Sequence, residues 1–499
     1  MTAEREHLDV LVIGAGIAGI GAGHFIQANC PWASYAIFEA RHSVGGTWDL
    51  FTYPGIRSDS DMFTLGYSFR PWDGKKAIAD GASILQYIKD TAAEEGIDQH
   101  IRFNHRVLSV DWSTPEARWH VTAERTDTGE HVELTAGFLY SCTGYYRYDK
   151  GHLPDFPGAE TFEGQVIHPQ FWPHDLAYDG KRIVVIGSGA TAITLIPSLA
   201  ERAAHVTMLQ RSPTYIASLP AVDPLANVLR RVLPSRVSGP IIRWGRALMT
   251  QASYHLSQRF PEPAKKVLMK TVARQLPKGY DVDTHFNPSY GPWDQRLCLS
   301  PNGDLFKAIR SGKASVVTDH IETFTEHGIR VKGGDELEAD IIVAATGLEL
   351  LFVGGVEMTL DGEAIDIAER FMFKGSMVEG VPNAAVALGY TNASWTLKTD
   401  LTAEYVTKLL NRMRETGMRQ VTPVNDDPTL GDAPLFGLMS GYITRAIDRM
   451  PKQGTKYPWR VPTSYLLDYR ALKLGSIEEK TVFSNPAPAQ PVAAEAAVS

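Results

Sequence analysis

Residues 8–19 read Leu8-Asp9-Val10-Leu11-Val12-Ile13-Gly14-Ala15-Gly16-Ile17-Ala18-Gly19. The mostly apolar run Leu8 to Ile13 is short enough for a buried strand, and a helix-compatible stretch follows the glycine-spaced turn behind it. Gly14 permits a tight turn, Gly16 lets a pyrophosphate approach the backbone, and Gly19 lets helix pack closely on strand. The helix N-terminus offers free N–H groups and roughly half a positive charge to phosphates. Gly14, Gly16, Ala18 and Gly19 are therefore expected to hold a dinucleotide. With 43 glycines in 499 residues, such a pattern arises by chance with a probability on the order of a few tenths, so its context must carry the reading. That context is a second strand, Tyr35 to Phe38, ending in Glu39, an acid that can accept hydrogen bonds from a ribose.

A second copy lies at Ile183 to Ile186, followed by Gly187, Ser188, Gly189, Ala190, Thr191, Ala192 and Ile193. Its next strand, His205 to Gln210, ends in Arg211 and Ser212 instead of an acid. A cation and a hydroxyl suit a 2′-phosphate, which Glu would repel. The first turn is thus expected to bind FAD and the second NADPH. The fold class predicted is α/β, with two Rossmann-like dinucleotide-binding domains. Two further apolar runs, Phe138 to Gly144 and Ile341 to Gly347, both end in Thr-Gly and read as the strands by which the chain passes between those domains.

A length of 499 residues suits two or three domains, and 44% hydrophobic with 21% charged residues is a globular composition. The net charge of -8 argues against a nucleic-acid partner. No apolar run is long enough to span a membrane, and the charged start MTAEREHLD lacks a signal-peptide core, which leads to the expectation of a cytoplasmic protein. Cys30, Cys142 and Cys298 are too scattered for a disulfide framework or a zinc site. No metal is expected. Because Gly45 to Asp59 contains no cysteine, a dithiol relay from a reduced flavin is excluded as well.

Two longer motifs carry a family resemblance. Gly45 to Asp59 matches [AG]GxWxxxx[FY]P[GM]xxxD at every specified position, and Phe162, Gly164, His168, Trp172 and Pro173 match FxGxxxHxxxWP. A random match to those five residues has a probability of roughly 10⁻⁴. In both motifs the chain resembles the type I Baeyer–Villiger monooxygenases, and it is most similar to their ethionamide-activating subgroup in stretches such as WDQRLCLSPNGDLF and GYTNASWTLK. Trp172 favours that ketone-oxidising branch over the related N- and S-oxygenating flavin monooxygenases, which remain the alternative.

The resemblance implies that NADPH reduces FAD, that O2 forms a peroxide at flavin C4a, and that this attacks a ketone through a Criegee intermediate to give an ester. Short to medium aliphatic ketones are the implied substrates, with sulfides and thioamides as side substrates. Arg296 is the implied catalytic residue, a permanently charged guanidinium for developing anions. Asp59 should pair with it. Thr47, Trp48, Asp49 and Leu50 resemble flavin-wrapping positions, Val107 an adenine contact, and Arg57 and Ser58 contacts to the nicotinamide half of NADPH. Gln295 stands where many relatives carry lysine, which leaves the 2′-phosphate mainly to Arg211.

The implied layout is 1–150 and 345–484 for the FAD domain, 151–214 and 290–344 for the NADPH domain, 215–289 for a helical insertion, and 485–499 for a disordered tail. His168 falls on the connection between the nucleotide domains and reads as a structural hydrogen-bonding residue, not the catalyst. The insertion is rich in Arg and Lys interleaved with apolar residues. Amphipathic helices are expected there, and a weak contact with a membrane surface is the sharper reading.

Overall fold

The strand His7–Ile13 lies inside a nine-stranded sheet, between Tyr35–Phe38 and His131–Ser141, parallel to both. The computed structural model describes residues 5–437 and 440–486. This first sheet collects the strands up to Ser141 and regains three from the second half of the chain, Glu357–Leu360, Glu363–Ala364 and Ala384–Val386. A second sheet is entirely parallel and has five strands in the order Ala314–Thr318, His205–Gln210, Arg182–Ile186, Ile341–Ala344, Gln165–Ile167. The mixed α/β class with two Rossmann-like sheets is therefore present. Residues such as Val10, Val184, Val185 and Ile342 are fully buried, as strands covered on both faces require.

Helices α1 (Ile17–Asn29) and α2 (Ala190–Leu199) follow the two glycine turns. At Gly19 a Cβ would come within 1.8 Å of the Gly14 carbonyl oxygen, so only glycine lets α1 lie this close to its strand. Gly14 has φ +103° and a Cβ there would meet the Cys142 carbonyl at 2.7 Å; Gly187 has φ +131° and would meet the Ala345 carbonyl at 2.4 Å. Each turn is thus wedged against the strand by which the chain leaves its own sheet.

The two crossings between the sheets are joined. Tyr146–Gly151 on the outward path pairs antiparallel with Leu348–Leu350 on the return. His168 sits on this ribbon: its Nδ1 accepts from the Gln170 N–H at 3.2 Å, so Nε2 carries the proton and donates to the Gly347 carbonyl at 3.1 Å. Burial pushes the imidazole pKa below its ordinary value, and the Gly347 hydrogen bond only partly opposes this. Trp172, from the same motif, is buried in the core beneath the second sheet.

Between the sheets' strands come α3 (Pro224–Val232), α4 (Ser235–Arg259) and α5 (Pro261–Ala273). The expectation of a helical 215–289 needs one correction. Ile216–Leu219 is a strand, pairing parallel with Cys298–Pro301 and so fixing the insertion's entry beside its exit. The insertion packs on the cores of both sheets. Ala226 and Ile242 join the core of the first sheet, whereas Val272 joins that of the second. Arg243, only 7% exposed, explains the first attachment. A guanidinium so buried needs partners, and it donates to the Thr64 and Gly66 carbonyls and to Asp400, on helix α6 (Thr396–Thr416). Arg230 likewise donates to the Gly74 carbonyl at 2.7 Å. Of the expected tail, Asn485 and Pro486 are held by Arg419, and 487–499 lie outside the described residues. Among the described residues no helix is long and apolar enough to cross a membrane.

Candidate active site

A cavity of about 550 Å³ runs from the first glycine turn to the N-terminus of α2. Its position, outside the carboxyl ends of parallel strands, is where open α/β sheets bind ligands. Gly14, Gly16, Ala18 and Glu39 form one end of its wall, together with Val107. Among the described residues no side chain caps α1 at Gly16 or α2 at Gly189, which leaves the first N–H groups of both helices for an anion. A Cβ at Gly189 would meet nothing within 4 Å, which leaves open space for a phosphate.

Glu39 is 6% exposed. Its Oε2 accepts from the Ala15 N–H at 2.8 Å and its Oε1 from the Arg41 N–H at 2.9 Å. Burial holds its carboxyl pKa above the ordinary value, and the two backbone donors offset this only in part. Each oxygen keeps a lone pair, enough for a ribose hydroxyl on either side. These features fit a dinucleotide at the first turn. They fit one whose ribose is free, as in FAD.

Arg57, Ser58 and Asp59 line the middle of the cavity with Thr47 and Trp48. Opposite, Ala190 and Thr191 belong to the first turn of α2, so one space touches the first glycine turn and the helix N-terminus that follows the second. Arg296 enters this wall from the loop before Cys298–Pro301, and its Nη2 lies 2.7 Å from Asp59 Oδ2. The guanidinium pKa lies above its usual range: burial opposes the charge, but Asp59 and then Tyr442, Tyr145 and Tyr146 outweigh it. The cation is permanent at any working pH. Arg57 is engaged elsewhere, with Asp304, and its Nη2 has no hydrogen-bond partner among the described residues.

Other expected contacts stand apart from the cavity. Asp49 pairs with Arg41 at 2.8 Å, and Leu50 packs against the core of the second sheet. Gly19, Ala192 and Ile193 are packing positions of α1 and α2. Gly187, Ser188 and Gly189 form the second turn, where Ser188 Oγ donates to the Ser212 carbonyl at 3.1 Å. Arg211 and Ser212 are exposed at the end of their strand, beside that turn.

Tyr53, Tyr145, Tyr146 and Trp395 complete an aromatic wall around the Arg296–Asp59 pair. The Tyr145 and Trp395 rings lie 5.1 Å apart. Of these, Tyr145 and Tyr146 escaped the sequence reading, as did Tyr442. The first two had one legible signal, since they directly follow the Thr143-Gly144 exit at a strand's carboxyl end. Tyr442 had none, because it arrives from almost 150 residues beyond Arg296 in sequence and only folding brings it near.

A family model described as flavin-binding monooxygenase-like matches residues 73–357, and one for an NAD(P)-binding Rossmann-like domain matches 12–71. The FAD-containing monooxygenase EthA of Mycolicibacterium smegmatis is 53% identical over 478 residues, 96% of this chain and 97% of that one. Among solved structures, an oxidized steroid monooxygenase bound to NADP superimposes with TM-score 0.75 at 21% identity, covering 96% of this chain and 100% of that one. Cyclohexanone monooxygenase with ε-caprolactone bound gives 0.70 at 22%, covering 84% and 90%. These two structures share the fold.

Proposed function

The chain belongs to the flavin-binding monooxygenase-like family, and from that premise we propose that it is a Baeyer–Villiger monooxygenase. It uses FAD and NADPH to insert one oxygen atom of O2 beside the carbonyl of aliphatic ketones, giving esters, with sulfides and thioamides as side substrates. The observation that carries this reading is the Arg296–Asp59 pair, 2.7 Å apart on the wall of a cavity that reaches from the first glycine turn to the N-terminus of α2.

Bound FAD, reduced by NADPH, supplies the oxygen activation. The chain's own residues bind, orient and neutralise. Gly14, Gly16 and the α1 N-terminus take the FAD pyrophosphate, and Glu39 takes its ribose. Gly187, Ser188, Gly189 and α2 take the NADPH pyrophosphate, with Arg211 and Ser212 at its 2′-phosphate. Arg296 faces the reacting centre as a fixed positive charge where negative charge develops on oxygen. Asp59 holds that guanidinium in place and offsets the cost of its partial desolvation. The aromatic wall of Tyr53, Tyr145, Tyr146 and Trp395 limits water around it, which strengthens the same electrostatic contact.

The test is incubation of the FAD-loaded protein with NADPH, air and an aliphatic ketone. One ester should form per NADPH consumed, and Arg296→Ala should retain FAD yet form no ester. Oxidation of amines and sulfides with ketones untouched would transfer the protein to the N- and S-oxygenating alternative. Ester formation at an unchanged rate by Arg296→Ala would remove Arg296 from the chemistry.

A further inference from the structure

The insertion carries ten Lys or Arg and one acid, Glu262, between residues 224 and 274, in a chain of net charge -8. Folding divides those cations into two sets. Arg230, Arg243, Arg246 and Lys265 are engaged internally, with carbonyls or with Asp400 and Asp223. Arg231, Arg236, Arg259, Lys266, Lys270 and Arg274 are exposed and have no ion pair among the described residues.

Large apolar side chains stand exposed between them. On α3, Leu225 and Val232 are each 68% exposed and Val228 lies on the same face, at spacings of three and four. On α4, Val237, Ile241 and Leu248 fall within an arc of about 40° at ~100° per residue; all three are exposed. Leu256, Phe260 at the turn into α5 and Val267 on α5 are exposed as well, Val267 at 65%. Leu466 and Leu467 are also exposed, on a segment that Gln251 of α4 holds by accepting from the Tyr465 N–H and donating to the Thr463 carbonyl. A monomer in water rarely leaves so many large apolar residues uncovered on adjacent elements.

We propose that α3, α4 and α5 form a docking surface for an anionic phospholipid bilayer. Apolar residues enter the acyl boundary while the exposed cations meet lipid phosphates, the two-part chemistry of interfacial helices. Charge selects this occupant. A second copy of the chain would bring the same unpaired cations against themselves, whereas an anionic bilayer complements them. The Arg243 and Arg230 attachments hold α3 and α4 rigidly on the first nucleotide domain, so the surface is built before any lipid arrives.

Full-length FAD-loaded protein is sedimented with phosphatidylcholine vesicles, alone or with ~30% phosphatidylglycerol, at about 0.05 and 0.5 M NaCl. Binding to the anionic vesicles at low salt should exceed that in the other conditions by about tenfold or more. Two exposed-surface variants, one with Leu225→Ser, Val228→Ser and Val232→Ser and one with Arg231→Glu, Lys266→Glu and Lys270→Glu, should each lose that binding. Their NADPH oxidation without lipid should match the parent, which reports intact folding. Equal binding to neutral vesicles, or anionic binding retained by the charge-reversed variant, would overturn the proposal. So would absent vesicle binding together with a dimer, seen by sedimentation velocity, that the serine variant abolishes; the occupant would then be a second copy.

Discussion

Replacing Asp59 by asparagine removes one charge and almost no volume, so it isolates what the carboxylate does for Arg296. The two groups meet at 2.7 Å, with charge centres about 4 Å apart, worth about 4 kcal/mol at an effective dielectric near 20. The Asp59 side chain keeps 36% of its exposure, so solvent screening reduces this to about 2 kcal/mol. That energy corresponds to roughly a thirtyfold fall in the population with Arg296 held toward the reacting centre. Arg296 itself remains charged, because the three tyrosines that also favour its cationic form are untouched. The expected outcome is unchanged FAD content by flavin absorbance, little change in KM for NADPH, and about a thirtyfold lower kcat for ester formation. If Asp59→Asn makes ester at the parental rate while Arg296→Ala makes none, the carboxylate does not position the guanidinium and this reasoning fails.

The glycine turns should separate by cofactor. Gly14→Ala places a Cβ 2.7 Å from the Cys142 carbonyl at φ +103° and should lose FAD, whereas Gly187→Ala, 2.4 Å from the Ala345 carbonyl at φ +131°, should retain FAD and raise KM for NADPH. Purified flavin content and coenzyme kinetics check both. Arg211→Ala should lower the kcat/KM preference for NADPH over NADH by about tenfold, the scale of one exposed charge-assisted contact, and an unchanged ratio would show that the 2′-phosphate is held elsewhere. His168 makes stability depend on pH. Its folded pKa lies below the unfolded value near ~6.5, so the unfolded chain binds more protons between the two and stability falls as pH drops through that window. His152, on the same ribbon, is shifted in the same direction by burial and then Arg445. The Tm should therefore be level above about pH 7.5 and decline toward pH 5.5, less steeply in His168→Gln; equal slopes would exclude His168 as a source.

Much of this molecule is legible along the chain because its constraints are local. Gly14 and Gly187 are demanded by positive φ and by a carbonyl less than a Cβ's width away, and no other residue satisfies both, so the turns, their strands and the α/β class can be read from a few residues. The entry to the insertion was less legible. Ile216–Leu219 becomes a strand only because Cys298–Pro301, about 80 residues later, supplies its hydrogen bonds. Asp49 and Leu50, expected to wrap the flavin, turn away from the cavity for a similar reason, one toward Arg41 and the other toward the core of the second sheet.

The sequence alone determined the two nucleotide folds, the order in which the chain threads them, and the residue types suited to anion and ribose. Backbone geometry and charge leave those marks at fixed spacing. Only the tertiary structure decided what surrounds Arg296, which arginines of the insertion are free, and what His168 holds. Each of those depends on atoms from distant segments, such as Tyr442, Asp400 and Gly347, whose approach is set by packing of the whole chain and by no local pattern.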